Sequence, residues 1–556
     1  MDHVERTGGR VLIDALVNNG VDRVFCVPGE SYLAALDALQ DTPSISVHVA
    51  RNEGGAAYMA DAFAKLTGRP GVCFVTRGPG ATNASGGVHV AFQDSTPMVL
   101  LIGQVGRSDR DREAFQEVDY RRMYGQMAKW VAQIDDAARI PEYLNRAFAT
   151  ATAGRPGPVV LALPEDMLTD EVTVGDVPGW QSVPVHPGPD QVAAIVGALE
   201  AAERPMLVVG GGGWTDEART SLAEFADAWQ LPVAASFRCQ DLIDNRHPSY
   251  VGMLGIGSST DLVERVRTAD LVIVLGARLG EITTNGYTVL EPPRPTQRLV
   301  HVHAGADELG RVYAADVAIN ASSPEMLAAL AATAPAGVVA WAAATMQAHL
   351  AHLNRSTPNT VPGDLQLGDI FGWLSEHLPD DAVVCTGAGN YTGWVNRFIR
   401  FGAGRRLLAP TSGTMGYGTP GAVAAKLAEP DRTVVAVAGD GCFMMNGQEL
   451  ATAVQYGADI IVVVVNNSML GTIRMHQERE YPDRVSATDL ANPDFVALAR
   501  AYGAHGELVT TTDEFESAFE RAVAFDGSAL IELRVDPEVL STDLTLSDLR
   551  AVTHGS

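Results

Sequence analysis

Cysteine is scarce in this chain. Its 556 residues carry five, at Cys26, Cys73, Cys239, Cys385 and Cys442, far apart and with no Cys-x-x-Cys pair. That spacing excludes a zinc ribbon and a disulfide framework, and it fits a reducing, cytoplasmic setting. Basic residues are also few: 40 Lys and Arg stand against 67 Asp and Glu, for a net charge of −27. A surface of that sign repels phosphate backbones, so nucleic acid is not expected as a partner. An anionic cofactor would have to be held by backbone amides and a metal. The opening residues hold no basic segment followed by an apolar one, so no secretory signal is expected. One uncharged stretch, 326–346, invites a membrane reading. It is mostly alanine and is interrupted by Pro335 and Gly337, so a buried helix followed by a linker is expected, and no membrane.

What is present reads as a globular enzyme. Hydrophobic residues make up 46% and charged residues 19%, with 55 glycines and 30 prolines spread along the chain. Such a composition is neither disordered nor fibrous. At roughly 100–200 residues per domain, the length admits about three to four domains. Short apolar, β-branched runs alternate with helical stretches, which predicts an α/β fold with doubly wound parallel sheets. Strands are expected at 23–27, 71–76, 97–102, 159–163, 206–209, 271–275, 383–386, 433–438 and 460–466. Proline-rich stretches near 168–192 and 335–365 divide the chain into regions 1–175, 190–335 and 365–545, followed by a polar tail. In such sheets ligands gather at the carboxyl ends of strands.

The C-terminal third carries the most specific pattern. The strand at 433–438 runs into Gly439-Asp440-Gly441 and Cys442. Glycines there let a ligand approach the backbone. A helix through Gln448, Glu449 and Val454 is expected to follow, with amides at its start facing an anion. Asp440, at the strand end, suits a hard divalent cation bridging carboxylate and phosphate oxygens. Twenty-four residues, 442–465, separate this turn from Asn466-Asn467. That is room for one helix and one buried strand, returning neutral oxygen ligands beside Asp440.

A second pattern lies at Arg51-Asn52-Glu53-Gly54-Gly55-Ala56-Ala57. It predicts a closely packed helix with one carboxylate at its start. A carboxylate in such a place is costly unless it is paired or functional. Taken alone, Glu53 also reads as an ordinary helix-end acid.

Together these pieces resemble the thiamine diphosphate-dependent 2-oxo acid decarboxylase and carboligase family, most of all its acetolactate (acetohydroxyacid) synthase branch. The resemblance runs through Val27-Pro28-Gly29, the Glu53 helix, Gly78-Pro79-Gly80-Ala81-Thr82-Asn83, Ala114-Phe115-Gln116-Glu117 and Gly154-Arg155-Pro156-Gly157. It continues through Gly252-Met253-Leu254-Gly255, Gly276-Ala277-Arg278 and Gly413-Thr414-Met415-Gly416-Tyr417-Gly418 to the Gly-Asp-Gly…Asn-Asn pattern. It implies a pyrimidine-binding domain at 1–175, a middle domain at 190–335 and a diphosphate-binding domain at 365–545. It also implies a homodimer or homotetramer with shared active sites. Glu53 would hydrogen-bond the pyrimidine and so promote loss of the thiazolium C2 proton. Met415 would bend the cofactor, and the Gly413 backbone would contact its pyrimidine. Asp440, Asn467 and the Met469 carbonyl would hold Mg²⁺. Gly389, Asn390, Gly441 and Cys442 would line the diphosphate. Phe115 and Gln116 match a substrate segment, and Lys129 falls where synthases carry a lysine.

Three departures bear on the exact reaction. Glu30 follows Pro28-Gly29 where anabolic synthases have a second glycine, and it is a candidate proton-transfer acid. His476 stands where they carry a tryptophan that shapes the second-substrate pocket, and it is the side chain most able to titrate near neutrality. Arg278 is followed by Leu279-Gly280-Glu281 rather than the flavin-associated continuation, which leaves FAD in doubt; Gly210-Gly211-Gly212-Gly213 reads equally as a nucleotide loop and as a tight turn. The leading expectation is a carboligase that decarboxylates a 2-oxo acid, pyruvate as donor, and joins it to a second carbonyl. The alternative is a non-ligating decarboxylase of a larger aromatic or branched 2-oxo acid, which Glu30 and His476 favour. A binding protein without catalysis is the reading from another class, and intact Glu53, Asp440 and Asn467 argue against it. The sequence leaves room for a separate regulatory subunit.

Overall fold

The computed structural model describes residues 5–402 and 404–554, so residues 1–4 of the segment read for a signal lie outside the described residues. The chain forms three six-stranded parallel sheets with helices between the strands. Packing groups it into two compact units. One comprises the chain up to Val183 with Thr419–Asp431 and Asn446–Ile460; the other comprises Pro184–Gly418, Arg432–Met445 and the chain from Ile461 onward.

In the first unit the strand order is Ser46–Val49, Arg23–Cys26, Gly71–Val75, Met98–Gln104, Pro158–Pro164, Trp130–Gln133, all parallel. The three strands Gly71–Val75, Met98–Gln104 and Pro158–Pro164 are buried at every residue. Helices cover both faces of a parallel sheet, so its inner strands read as unbroken apolar runs rather than alternating ones. A short antiparallel pair, Glu5–Thr7 with Glu171–Thr173, lies beside this sheet in sequence only at its two ends.

The second unit holds two such sheets. One runs Tyr250–Met253, Val233–Ala235, Pro205–Val209, Leu271–Leu275, Arg298–His303, Val317–Asn320. The other runs Arg406–Leu408, Val383–Thr386, Val434–Gly439, Ile461–Asn466, Ala529–Arg534, His505–Val509. The centre of the latter, Val434–Gly439 and Ile461–Asn466, carries Asp440 at one carboxyl end and Asn467 at the other.

All nine expected strands are present, each end within two residues of its expected place. The expected helix after the glycine turn is two helices, Asp440–Asn446 and Glu449–Tyr456, with Gly447 and Gln448 between them. The second of these belongs with the N-terminal sheet rather than with the strands that flank it in sequence. The uncharged stretch also divides. Met326, Leu327 and Leu330 are buried in the helix Ser323–Ala331, and a new helix, Ala342–Arg355, begins beyond Trp341. No helix among the described residues is long and apolar enough to cross a membrane.

Candidate active site

Glu53 is the first residue of the helix Glu53–Thr67. Asn52 caps it from an extended backbone, and the Asn52 side chain accepts from the Gly54 N–H at 2.8 Å. Such a cap satisfies one of the amides a helix start leaves unpaired. The small residues of this helix let it sit hard against Pro79–Asp94: a Cβ on Gly87 would stand 2.3 Å from that of Ala57. The same approach brings Asn83 to Glu53, donating its Nδ2–H to Oε2 at 2.9 Å. Gly80 is part of the fit, since a Cβ there would lie 3.2 Å from Glu53 Oε1. The Gly-Pro-Gly-Ala-Thr-Asn motif is therefore a cradle for one carboxylate.

Glu30 begins a short turn of helix, Glu30–Tyr32, after a glycine that must be a glycine: a Cβ on Gly29 would stand 2.4 Å from that of Thr76. Its Oε1 accepts from Arg77 Nη2 at 3.3 Å. Arg77 is buried and spans three groups, also donating to Glu165 at 2.9 Å and to the Phe115 carbonyl at 3.3 Å. It thus ties Glu30 to the segment holding Gln116. That segment is bent sharply. Asp111, Glu113 and Gln116 all take positive φ, at 63°, 54° and 66°. Non-glycine residues in that region cost on the order of 1–3 kcal/mol each and gather where function overrides local preference. Glu117 holds the bend, accepting from the Asp111 N–H at 2.7 Å and the Ala114 N–H at 3.0 Å. The Asp111 amide, helped by the Ala114 amide and others of the loop, keeps the Glu117 carboxyl below its ordinary range against the opposing effect of burial. Phe115 is left 72% exposed at the tip. The Lys129 ammonium donates to the Ala153 carbonyl at 2.6 Å, just past the helix Ile140–Thr152.

In the second unit, Asp440 is 2% exposed at the end of its strand. Burial pushes its carboxyl up, and the Asn492 amide and neighbouring backbone N–H groups oppose that shift. Asn492 Nδ2 donates to Asp440 Oδ2 at 2.7 Å and to Asn466 Oδ1 at 3.0 Å. Asn466 in turn donates to the buried Glu532 at 2.8 Å. The first asparagine of the pair is thus locked into the protein. The second, Asn467, is half-buried and accepts only the nearby Met469 N–H, at 3.2 Å, among the hydrogen bonds described.

Cys442 is placed by its thiol. Tyr391 Oη and the Gly416 N–H both donate to Sγ at 3.2 Å, and a Cβ on Gly387 would meet Sγ at 2.5 Å. The thiol therefore joins the three loops that carry Gly389, Met415 and Asp440. Gly389, at φ +147°, leaves room for the Tyr391 ring. Both ends of the Asn390 amide bind protein: Nδ2 donates to the Leu540 carbonyl at 2.7 Å, and Oδ1 accepts from Thr472 at 2.9 Å. Gly413, at φ +68°, faces open space where its Cβ would be. Met415 packs half-buried on the core around Val437 and Val463, its Cε 3.8 Å from where a Gly441 Cβ would stand. His476 is exposed on the helix Gly471–Glu480, whose Met475 and Thr472 reach Asn390. That helix is anchored by Glu478, whose carboxyl Arg550 holds down to about 2.

In the middle sheet, Arg278 is paired with the buried Glu308 at 3.2 Å. Gly211, at φ +78°, lies where a Cβ would meet the Gly276 carbonyl at 2.2 Å. A Cβ on Gly210 would stand 2.0 Å from Ser236 Oγ, so close packing within the chain accounts for two of the four consecutive glycines.

The chain's donors fit the cofactor set the sequence suggested. Asp440, the Asn467 side chain and the Met469 carbonyl are hard oxygens of the kind Mg²⁺ takes, and a cation would offset the burial of Asp440. No group of three or more His, Cys, Asp or Glu among the described residues could hold a metal without such neutral oxygens. The pattern reading missed Asn83, Arg77, Asn492 and Glu532. Of these only Asn83 sat inside a motif; the others reach the site through tertiary contact.

Comparison with known proteins agrees over nearly the whole length. Residues 6–123 match the thiamine pyrophosphate enzyme N-terminal TPP binding domain, 192–330 the central domain of those enzymes, and 387–533 their C-terminal TPP binding domain. The chain is 35% identical over 551 residues to the acetolactate synthase large subunit of Parasynechococcus marenigrum (strain WH8102), covering 95% of this chain and 87% of that protein. It is 33% identical over 537 residues to the acetolactate synthase isozyme 2 large subunit of Escherichia coli (strain K12), covering 95% of each. A third relative, the acetolactate synthase large subunit of Corynebacterium glutamicum, is 32% identical over 537 residues, covering 93% of this chain and 84% of that protein.

Proposed function

The chain belongs to the thiamine pyrophosphate enzyme family, as a thiamine diphosphate-dependent enzyme of acetolactate synthase type, and from that premise we propose that it decarboxylates pyruvate and joins the remaining fragment to a second carbonyl. When bound, the cofactor's thiazolium supplies the electron sink that lets a 2-oxo acid lose carbon dioxide. The chain's own residues do the rest. Asn83 already fills Glu53 Oε2. Oε1 is therefore the oxygen that would hold a proton against the pyrimidine ring nitrogen. Asp440, Asn467 and the Met469 carbonyl would hold Mg²⁺, and the backbone of Gly389, Asn390, Gly441 and Cys442 would line the diphosphate. The Gly413 backbone would contact the pyrimidine, and Met415 would bend the cofactor. Glu30, held by Arg77, moves a proton to or from the substrate oxygen, and Gln116 orients the carbonyl. His476 lines the entry of the second substrate.

Regions 1–175 and 365–545 serve as the pyrimidine and diphosphate domains, with 190–335 between them. The working unit is a homodimer or homotetramer with shared sites, open to a regulatory subunit. Five free thiols suit the cytoplasm. The observation that carries the reading is the Glu53 carboxylate fixed by Asn83 at the start of a packed helix. The Glu30–Arg77 ion pair favours a second reading, decarboxylation of a larger 2-oxo acid without ligation. Pyruvate consumption with thiamine diphosphate and Mg²⁺, with the product identified by mass spectrometry, separates the two. Acetolactate supports the first; no loss of pyruvate by cofactor-loaded protein rejects it in favour of larger donors.

A further inference from the structure

Glu449 is a completely buried carboxylate with no lysine or arginine ion pair among the described residues. It starts the helix Glu449–Tyr456 and lies in the same compact unit as Glu53. Its oxygens are aimed at the strand-to-helix turn that delivers Glu53. Oε1 accepts from the main-chain N–H of Arg51 and of Asn52, both at 3.0 Å. Oε2 accepts from the Arg51 N–H at 3.1 Å and from the Thr452 hydroxyl at 2.6 Å. Tyr456, two turns along the same helix, accepts from the Val49 N–H at 2.8 Å. One helix face thus fixes three of the four amides from 49 to 52.

The consequence for Glu53 is geometric. With its N–H held, Asn52 takes φ −150° and ψ 143°, the extended geometry from which its side chain caps Gly54. That cap sets the helix axis, and the axis sets where the first residue, Glu53, points. Gly55 is shaped to the same contact: a Cβ there would stand 2.6 Å from Glu449 Oε1. The second glycine after Glu53 is therefore a requirement of Glu449 and needs no ligand to explain it. Burial alone pushes the Glu449 carboxyl up, and the Thr452 hydroxyl and the two amides work against that.

We propose that Glu449 is a positioning residue for Glu53, holding the 49–52 backbone so that the Glu53 carboxylate is set before the cofactor arrives. This rests on the reading of Glu53 as the proton-holding group.

The test uses the full chain and Glu449→Gln, which keeps the volume but turns an amide N–H against the Arg51 N–H. Hydrogen exchange without cofactor is expected to rise about tenfold or more in the peptide spanning 49–55 and to stay unchanged over 98–104. With thiamine diphosphate and Mg²⁺, kcat is expected to fall about 10- to 100-fold, as small misplacements of a catalytic group do, while cofactor affinity moves by less than about threefold. In Glu53→Gln, adding Glu449→Gln is expected to cost nothing more. Unchanged exchange at 49–55, or a full additional loss in the double variant, overturns the proposal. Should Glu449→Gln not fold, Thr452→Val removes one donor to the same carboxylate; a smaller change in the same direction supports the proposal, and no change in exchange overturns it. Full turnover in Glu53→Gln with raised exchange in Glu449→Gln would reject the role of Glu53 while leaving the Glu449 clamp in place.

Discussion

Asn492→Ala isolates the part of the diphosphate half that no motif announced. The wild-type amide donates to Asp440 Oδ2 at 2.7 Å and to Asn466 Oδ1 at 3.0 Å, both acceptors buried. A hydrogen bond to a charged group is worth about 1.5–3 kcal/mol and a neutral one about 0.5–1.5 kcal/mol. The substitution should therefore destabilise the protein by about 2–4 kcal/mol. Its larger signature is in Mg²⁺. Partners that orient metal ligands typically cost about 10–100-fold in affinity when removed, so the Mg²⁺ concentration for half-maximal activity should rise by that factor. The pH dependence has a definite sign. Asp440 must be ionised to bind a cation; burial raises its pKa and Asn492 lowers it. Without Asn492 the pKa rises further, so Mg²⁺-dependent activity should fail at a higher pH on acidification than in the wild type. In the metal-free protein the raised pKa means that stability is fully present below the unfolded pKa and is lost as pH rises through the folded one. Asn492→Ala should move that loss to higher pH as well. Activity against Mg²⁺ at several pH values, with melting curves of the metal-free protein, measures all of this. A lower melting temperature with an unchanged Mg²⁺ requirement would refute the link to Asp440.

Glu53→Gln should lower kcat by about 10²–10⁴-fold, the usual worth of a positioned proton-transfer group, with cofactor affinity within a few-fold by fluorescence titration; full activity would refute the role. Arg77→Leu should free both Glu30 and the Phe115 carbonyl. Substrate KM should rise with little change in cofactor binding, and steady-state kinetics showing the reverse would count against the loop. Glu478→Gln weakens the anchor of the helix bearing His476 and should cost about 1.5–3 kcal/mol. Because Arg550 depresses the Glu478 pKa to about 2, its contribution is present above the ordinary carboxylate pKa and is lost as pH falls toward 2. Acid unfolding curves of the wild type and this variant should therefore converge at low pH.

The strands legible in the sequence share one property: they are inner strands of parallel sheets, buried on both faces, such as Gly71–Val75 and Leu271–Leu275. Edge strands were not legible. His505–Val509 pairs on one side only and fully buries just two of its five residues, so its pattern resembles a loop. Arg298–His303 is buried but carries two histidines in its apolar run. His301 is tolerated because its ring meets the Ala277 carbonyl at 3.1 Å, and burial lowers its pKa to about 4. The break at Gly447 and Gln448 was hidden because both halves have helical patterning; only the division of the two helices between compact units reveals it. At the site, Glu53, Asp440 and Asn467 stand in spaced motifs. Asn492 and Arg77 do not, because hydrogen bonds to residues 52 and 47 positions away leave no trace in local spacing.

Glu53 and Glu449 show what decides the role of a carboxylate in this chain. Both start helices, both stand near glycines or small residues, and both lie beside motifs, so composition ranks them alike. Their oxygens differ. Glu449 accepts from two backbone amides and a hydroxyl, which saturates it and leaves it nothing to offer a ligand. Glu53 accepts one amide at Oε2, and its Oε1 has no hydrogen-bond partner among the described residues. A saturated buried acid spends its charge on fixing backbone; an acid with one oxygen left can exchange a proton. On the proposal above, the first positions the second through the Arg51 and Asn52 backbone that precedes the Glu53 helix. The two proposed roles would therefore constrain the sequence between Val49 and Gly55 from two directions, by the proton Glu53 would hold and by the clamp that would aim it.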